Sequence, residues 1–302
     1  MRVNLSVKIG KLNLKNPVIL CSGTFSEELK YFLDFKKIGA LVTKTITLKP
    51  NLGNPPPRTC ETPSGLLNSI GLENPGLDLF LKRDLVKFLK WGVPIIVSIT
   101  SIDEPEELFI LAKELAKIKE LKTIEVNLSC PNLRIKKLIS QDKDATYNVV
   151  KKLRKISSQT LIVKLSPNVT DISEIALAAE KAGADSVSLI NTVSAMAVDI
   201  QTRKPMLSTV TGGLSGPAIK PIALRAVWQV YQRVKIPIIG MGGIMDAKDA
   251  IEFILCGATA VGIGTANFVN PKASLEIIEG IKGYLEANRF KDIKELIGTL
   301  KV

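Results

Sequence analysis

Apolar and polar positions divide this chain into two alternating kinds of segment. Short runs of apolar, often β-branched residues are each followed by a stretch whose apolar residues recur at helical spacing. Such continuously apolar runs are typical of parallel strands that are buried on both faces. The candidate strands are residues 18–21, 41–44, 95–99, 124–128, 161–165, 186–190, 237–240 and 260–264.

The segments between these runs carry helix signals. Residues 104–118 place their leucines at helical spacing, residues 171–182 open with an acidic turn and precede a glycine, and residues 247–255 end in the same way. Eight strand–helix units predict a closed (β/α)₈ TIM barrel, with a doubly wound open sheet as the alternative. We expect one domain over residues 1–302.

Three further segments interrupt the alternation. The opening SVKIGKLNLKNPV (residues 6–18) predicts a small hairpin that caps one end of the barrel. Residues 49–76 and 192–217 are long and rich in Gly, Pro, Asn or Thr. Because both follow strands, we expect long loops on the C-terminal face, where barrel enzymes have their active sites.

Charge and composition narrow the class of protein. The net charge is +12, but the lysines are dispersed and no basic block with interleaved aromatic residues occurs. A solvated basic surface is therefore favoured over nucleic-acid binding, with a weak preference for an anionic small ligand. Since no apolar run is long enough for a bilayer and no signal segment is evident, we expect a cytoplasmic protein that does not enter a membrane.

Cysteine and histidine usage restricts the chemistry further. The four cysteines are widely separated, which argues against a disulfide framework or a zinc site. The chain has no histidine, so triads and dyads that depend on one are excluded, as is metal ligation by imidazole. Proton transfer must use Cys, Lys, Asp, Glu, Tyr or a hydroxyl group.

Polar residues gather where the predicted strands end. Lys44 and Lys164 lie within otherwise apolar runs, and a buried lysine is costly unless an anion or polar ligand pairs with it. Glycine clusters follow strands seven and eight as GMGGI and GIGTA, and a third occurs as GGLSGP. Loops at those positions often bind phosphate through backbone N–H groups, although ordinary tight turns are the alternative.

Cys130 lies just beyond the fourth predicted strand, before Pro131. A lone cysteine is more often a small buried apolar residue than a catalyst. Here it sits at a strand end between Asn127 and Asn132, and no histidine competes for the role. Because the pKa of a free thiol is about 8.5, a modestly tuned Cys130 can act as a base.

These motifs together resemble the class 1 dihydroorotate dehydrogenases, over nearly the whole chain. Class 1 members use a cysteine base, and Cys130 fits that pattern. The sequence is most similar to the 1B type, the catalytic FMN subunit of NAD-linked enzymes. The segments that carry the resemblance are NSIGLENPG, NLSCPN, VKLSPNVTDI, INT, TGGLSGPAIKP, IPIIGMGGI and GTANFV.

The resemblance implies a flavoenzyme of de novo pyrimidine (UMP) biosynthesis that oxidises (S)-dihydroorotate to orotate. Cys130 would remove a proton, a hydride would pass to FMN, and Lys164 would stabilise negative charge on the reduced flavin. The implied FMN-binding residues are Ser22, Lys44, Thr45, Ser98, Asn127, Lys164, Ile190, Gly216, Gly242, Gly243, Gly264 and Thr265. The implied substrate-binding residues are Lys44, Asn68, Ser69, Ile70, Gly71, Leu72, Asn127, Asn191 and Thr192.

The resemblance also implies partners. Subunits of the 1B type act with an electron-transfer subunit that holds FAD and a [2Fe–2S] cluster, and this chain has too few grouped cysteines to ligate a cluster itself. A homodimer joined to that subunit, and so a heterotetramer, is the expected assembly, with NAD⁺ as final acceptor.

Two positions depart from the family pattern. Ser98 stands where the family usually has an asparagine that contacts FMN, and LRIKKLISQD follows NLSCPN in place of a Gly-Gly loop bearing phenylalanine. Three alternatives remain: a class 1A enzyme that passes electrons to fumarate, a dihydropyrimidine dehydrogenase-like flavin barrel, and a flavin-free barrel that binds a phosphorylated metabolite.

Overall fold

A computed structural model describes residues 3–102, 104–128 and 139–302 of the chain. The strands in chain order are β1 (Val7–Ile9), β2 (Leu12–Leu14), β3 (Val18–Leu20), β4 (Ala40–Val42), β5 (Thr59–Thr62), β6 (Gly65–Asn68), β7 (Ile95–Ile99), β8 (Thr123–Asn127), β9 (Thr160–Lys164), β10 (Ser186–Leu189), β11 (Val193–Met196), β12 (Val198–Asp199), β13 (Lys204–Pro205), β14 (Thr211–Ser215), β15 (Ile238–Met241) and β16 (Ala260–Ile263).

The helices lie mostly between the parallel strands. They are α1 (Gly76–Leu79), α2 (Val86–Leu89), α3 (Glu106–Ala116), α4 (Lys143–Ile156), α5 (Ile172–Lys181), α6 (Lys220–Tyr231), α7 (Ala247–Leu255), α8 (Ala266–Val269) and α9 (Ala273–Ala287). A π-helical turn, Phe80–Leu85, joins α1 to α2. Among the described residues, no helix is long and apolar enough to cross a bilayer.

Eight parallel strands close into a barrel in the order β3, β4, β7, β8, β9, β10, β15 and β16, with β16 pairing back onto β3. Each barrel strand therefore neighbours the next barrel strand along the chain, which is the topology of a (β/α)₈ barrel. The predicted barrel is confirmed and the open sheet is excluded. All eight strands lie within two residues of the predicted bounds.

Burial of the barrel strands on both faces explains why they could be predicted from the sequence. Every residue of β7, β8 and β9 is buried, because side chains on one face fill the barrel and those on the other contact the helices. The helix α3 buries Leu108, Leu111, Ala112 and Leu115 on one side. Burying each leucine fully contributes about 1.5–3 kcal/mol.

The N-terminal hairpin of β1 and β2 lies at the amino end of the barrel. Its turn donates a hydrogen bond from the Lys11 N–H to Thr160 Oγ1 at 2.9 Å, at the start of β9. Gly10 in this turn has a φ of +54°, and a Cβ there would lie 2.8 Å from Thr160 Cγ2. The predicted cap is therefore present, with glycine required by both backbone conformation and space.

The two long segments on the C-terminal face are more ordered than the predicted loops. They supply β5, β6, β11 and β14, which form a four-stranded antiparallel sheet, here called the mouth sheet. In this sheet Asn68 on β6 pairs with Gly213 on β14, so strands from the two long segments lie side by side and hydrogen-bond to each other. A hydrogen bond of 2.8 Å from Thr265 Oγ1 to Ser215 Oγ ties the mouth sheet to the end of β16.

Candidate active site

A cavity of about 460 Å³ lies between the carboxyl ends of the barrel strands and the mouth sheet. Its volume is in the range usual for pockets that bind small molecules. The strand ends form its floor, and the mouth sheet with its connecting loops forms the opposite wall. Of the barrel strands and the residues directly after them, β7 contributes no described residue to the lining.

Sequence-predicted site residues converge on this cavity. Those that line it are Ser22, Lys44, Thr45, Asn68, Ser69, Ile70, Gly71, Leu72, Asn127, Lys164, Ile190, Asn191, Thr192, Gly216, Gly242, Gly243, Gly264 and Thr265. Cys130 and the segment around it, residues 129–138, lie outside the described residues. The role of Cys130 as a base therefore stays a prediction.

Ser98 occupies a different place from the one predicted. Its side chain is fully buried and does not line the cavity. In the strand register Ser98 is level with Glu125, one inward-facing layer below Asn127. Its hydroxyl contacts Thr45 instead, with 2.9 Å between Ser98 Oγ and Thr45 Oγ1. A direct contact between Ser98 and a ligand in the cavity is not supported.

Ser98 belongs to a chain of hydrogen bonds that descends from the cavity into the barrel. We call Ser22, Thr45, Ser98, Glu125 and Ser188 the polar column. The Thr45 N–H donates to Ser22 Oγ at 3.1 Å, and Ser98 Oγ donates to Glu125 Oε1 at 3.1 Å. Ser188 Oγ donates to Glu125 Oε2 at 2.9 Å. The column fixes the side chain of Thr45 where it meets the cavity.

Lys164 is the buried cation of the cavity floor, with 8 % of its surface exposed. It ends β9 and is level with Asn127 on β8 and with Ser188 on β10. Cys21, at the end of β3, also lines the cavity. Burial raises the pKa of the Cys21 thiol to about 12, while the Lys164 ammonium lowers it and the Glu125 carboxylate raises it. The thiol is thus uncharged at neutral pH, which argues against a nucleophilic role.

A glycine-lined stretch of the wall follows β14, β15 and β16. Gly216, Gly242 and Gly243 have φ values of +91°, +125° and +78°, which favour glycine. A Cβ on Gly264 would meet its nearest neighbour, Thr24 Cγ2, at an ordinary contact distance of 3.7 Å, so the backbone of Gly264 is not crowded where it lines the cavity. We call Gly216, Gly242, Gly243, Gly264 and Thr265 the glycine cradle. Backbone that a ligand can approach this closely suits a phosphate group.

The opposite part of the cavity is rich in amide and hydroxyl groups. Asn54 Nδ2 donates to Ser69 Oγ at 2.9 Å, and Thr209 Oγ1 donates to the same atom at 2.6 Å. Asn168 holds the loop after β10, because its Oδ1 accepts the Ser194 N–H at 3.0 Å. This wall can present both donors and acceptors to a polar ring.

Comparison with known proteins decides the family. A family model described as dihydroorotate dehydrogenase matches residues 4–285. The chain belongs to the dihydroorotate dehydrogenase family. It is 52% identical over 303 residues to a protein of Caldicellulosiruptor bescii named dihydroorotate dehydrogenase B (NAD(+)), catalytic subunit, covering 99% of this chain and 100% of the relative.

Two further relatives carry the same name. The protein of Caldicellulosiruptor saccharolyticus is 52% identical over 99% of this chain and 100% of its own length. The protein of Geotalea uraniireducens is 51% identical over 98% of each chain. The resemblance inferred from the motifs is therefore confirmed, including its 1B type, and as a dihydroorotate dehydrogenase the chain is an oxidoreductase.

Sequence reasoning missed part of the cavity of this dihydroorotate dehydrogenase. Several of the missed residues lie on the mouth sheet or in loops that reach the cavity only because strands far apart in the sequence pair with each other. Glu125 of the polar column was also missed, although a carboxylate inside the apolar run TIEVN was the same kind of signal as the two lysines. The missed lining residues are Cys21, Gly23, Thr24, Thr59, Leu66, Asn168, Ser194, Thr209, Thr211, Ile219, Met245 and Phe268. The glycine clusters identified in the sequence contain six further lining residues that were not singled out, namely Gly212, Gly213, Ser215, Met241, Ile244 and Gly262.

Proposed function

We propose that this protein oxidises dihydroorotate to orotate at an FMN bound in the cavity, and that the electrons pass to NAD⁺ through a partner subunit. One observation carries the proposal: a single cavity joins the glycine cradle to an amide-rich wall, with Lys164 buried in its floor. These features correspond to a phosphate, a pyrimidine ring and an electron-rich redox group.

FMN fits the residues that are present. The glycine cradle would hold the phosphate and ribityl chain, since it brings backbone close to the cavity without side-chain obstruction. The ring would lie against the floor, where the FMN-contacting residues are Ser22, Lys44, Thr45, Asn127, Lys164 and Ile190. When bound, FMN supplies the hydride-accepting chemistry.

Dihydroorotate matches the remaining wall. Lys44 would pair with the substrate carboxylate, because an ammonium forms a charge-assisted hydrogen bond to it. Asn68, Asn127 and Asn191 would meet the paired donors and acceptors of the ring. The rest of the substrate wall is formed by Ser69, Ile70, Gly71, Leu72 and Thr192.

The chain's own proton chemistry is assigned to Cys130. It follows Asn127 by three positions, and Asn127 ends β8 at the cavity floor. The thiolate would take the proton from the carbon next to the ring carbonyl, and FMN, when bound, would supply the acceptor for the hydride of the neighbouring carbon. Lys164 would stabilise the negative charge that the flavin gains.

The proposed assembly with other subunits rests on the names of the relatives. The relatives are named catalytic subunits, which supports the existence of a partner subunit. We propose that this partner carries FAD and a [2Fe–2S] cluster. We also propose a homodimer within that assembly, and residues 1–302 as one FMN-binding domain. The described cysteines, Cys21, Cys60 and Cys256, are unpaired, in keeping with a cytoplasmic enzyme.

Steady-state assays of the purified, FMN-loaded chain test the proposal. With dihydroorotate it should reduce an artificial dye, yet give no turnover with NAD⁺ or fumarate alone. Rapid turnover with fumarate would replace the NAD-linked assignment by the 1A type. Dye reduction with dihydrouracil but not with dihydroorotate would overturn the substrate assignment.

A further inference from the structure

Glu125 is a carboxylate placed in the interior of the barrel. It lies in the middle of β8 with 1 % of its surface exposed. Both carboxylate oxygens accept hydrogen bonds, Oε1 from Ser98 on β7 and Oε2 from Ser188 on β10. A buried carboxylate is stabilised by a cation in its surroundings.

The strand register brings Glu125 to Lys164. The strand β9 lies between β8 and β10, so a Glu125 side chain that reaches Ser188 crosses β9 on the inside of the barrel. Ser188 is the register partner of Lys164, and directly opposed side chains share one face of a sheet. The carboxylate therefore lies on the same inward face as the Lys164 side chain, on a residue one layer deeper, and the two groups make no direct ion pair.

Electrostatics at Cys21 supports this placement. Burial is the main reason that the pKa of the Cys21 thiol is raised, and two charged groups act on it in opposite directions. The Lys164 ammonium lowers that pKa and the Glu125 carboxylate raises it. Both charges therefore act on the same part of the cavity wall, where they partly cancel.

We propose that Glu125, one layer below the cavity floor, offsets part of the positive field of Lys164 at the bound flavin. This inference rests on the proposed function only in placing a flavin over Lys164. Ser98 and Ser188 hold the carboxylate in place. The pair thereby sets how strongly the site favours reduced, negatively charged flavin over oxidised flavin.

Measuring the reduction potential of the bound flavin tests whether the charge of Glu125 offsets that of Lys164. Glu125→Gln keeps the shape of the side chain and removes its charge. The potential should rise, with at least a tenfold gain in affinity for reduced relative to oxidised flavin, which is about 30 mV for a two-electron couple. Glu279→Gln removes a charge from the exposed side of α9 and should leave the potential unchanged. An unchanged or lower potential in Glu125→Gln overturns the proposal.

A double-mutant cycle on flavin-free protein tests the pair itself. Glu125→Gln and Lys164→Met each leave one buried charge without its partner, whereas the double variant removes both. The unfolding equilibrium constant, measured in urea, should show at least tenfold non-additivity, with the double variant more stable than the single effects imply. Additive effects overturn the proposal.

The two tests separate the inference from the function. If the natural chain takes up no flavin, the proposed function fails, while the cycle still decides whether Glu125 and Lys164 are coupled. If dihydroorotate reduces the flavin but the cycle is additive, the function stands and the inference fails. Should Glu125→Gln not fold, recovery of the fold in the double variant supports the pair, and no recovery overturns it.

Discussion

The hydroxyl of Thr45, which lines the cavity, lies 2.9 Å from the hydroxyl of Ser98, which does not. This contact links the cavity floor to Glu125 in the barrel interior. A position expected to touch a ligand therefore supports a residue that lines the cavity.

Ser98→Ala should destabilise the protein. The change removes one of the two hydroxyl groups that donate to the Glu125 carboxylate, and with it the hydroxyl partner of Thr45. Losing a partner of a buried polar group costs about 1–3 kcal/mol. Urea unfolding at pH 7 checks this loss. Ser158→Ala, at an exposed serine, should stay within about 0.5 kcal/mol of the parent, and an equally small effect at Ser98 would contradict the account.

The glycine cradle gives a prediction about cofactor binding. Gly264→Val adds a side chain to a residue that lines the cavity, where we expect the FMN phosphate. FMN affinity, measured by fluorescence titration, should fall at least about tenfold, which corresponds to about 1.4 kcal/mol. Gly283→Val is the matched control, since a Cβ on Gly283 meets nothing within 4 Å and no residue of α9 lines the cavity. Equal FMN affinity in the two variants would show that the glycine cradle does not bind FMN.

Cys130→Ala tests the base. The variant should bind FMN normally but reduce it about 10²–10⁴-fold more slowly on rapid mixing with dihydroorotate at neutral pH, the range typical of a lost general base. The parent rate should rise with pH as the thiol ionises, and the variant should lose that dependence. Cys256→Ala, at a cysteine that does not line the cavity, should reduce at the parent rate. Near-normal reduction in Cys130→Ala would refute the assignment.

Asp171 gives a prediction on pH and stability. Its carboxylate accepts the Ser173 hydroxyl and the Ser173 N–H at the start of α5, and these bonds lower the pKa of Asp171. A lowered folded-state pKa stabilises the fold above the unfolded pKa of about 3.9, and that stabilisation is lost as pH falls through the folded value.

Asp171→Ala should therefore lose about 0.5–2 kcal/mol in urea unfolding at pH 7, as for other N-caps, and the difference from the parent should shrink toward pH 3. Asp171→Asn keeps a capping side chain without a titrating group, so it should retain most of the stability at pH 7. A gap between Asp171→Ala and the parent that does not change with pH would contradict a charged cap.

The barrel could be predicted from the sequence because its strands are buried on both faces. Runs such as Ile95–Ile99 are continuously apolar, and the glycine after α5 is a direct local signal. The mouth sheet could not be predicted in this way. Its strands are short and half-buried, and Asn68 pairs with Gly213, which is 145 residues away in the chain.

The residues of the site divide in the same way, into those with a local signal in the sequence and those without one. Lys44 and Lys164 were identified because a cation inside an apolar run is unusual, and both line the cavity. Ser98 was placed at the FMN because the family usually has an FMN-contacting asparagine at that position, and the resemblance does not show at which layer of the barrel the serine stands. Strand register supplies that layer, and it sets Ser98 level with Glu125 rather than with Asn127.

The most direct test of the central claim is the flavin spectrum of the purified, FMN-loaded chain after anaerobic addition of dihydroorotate, with no acceptor present. The account predicts complete loss of the oxidised-flavin absorbance, with one orotate formed for each FMN. A spectrum that stays oxidised under excess dihydroorotate, or protein that takes up no FMN, would contradict it.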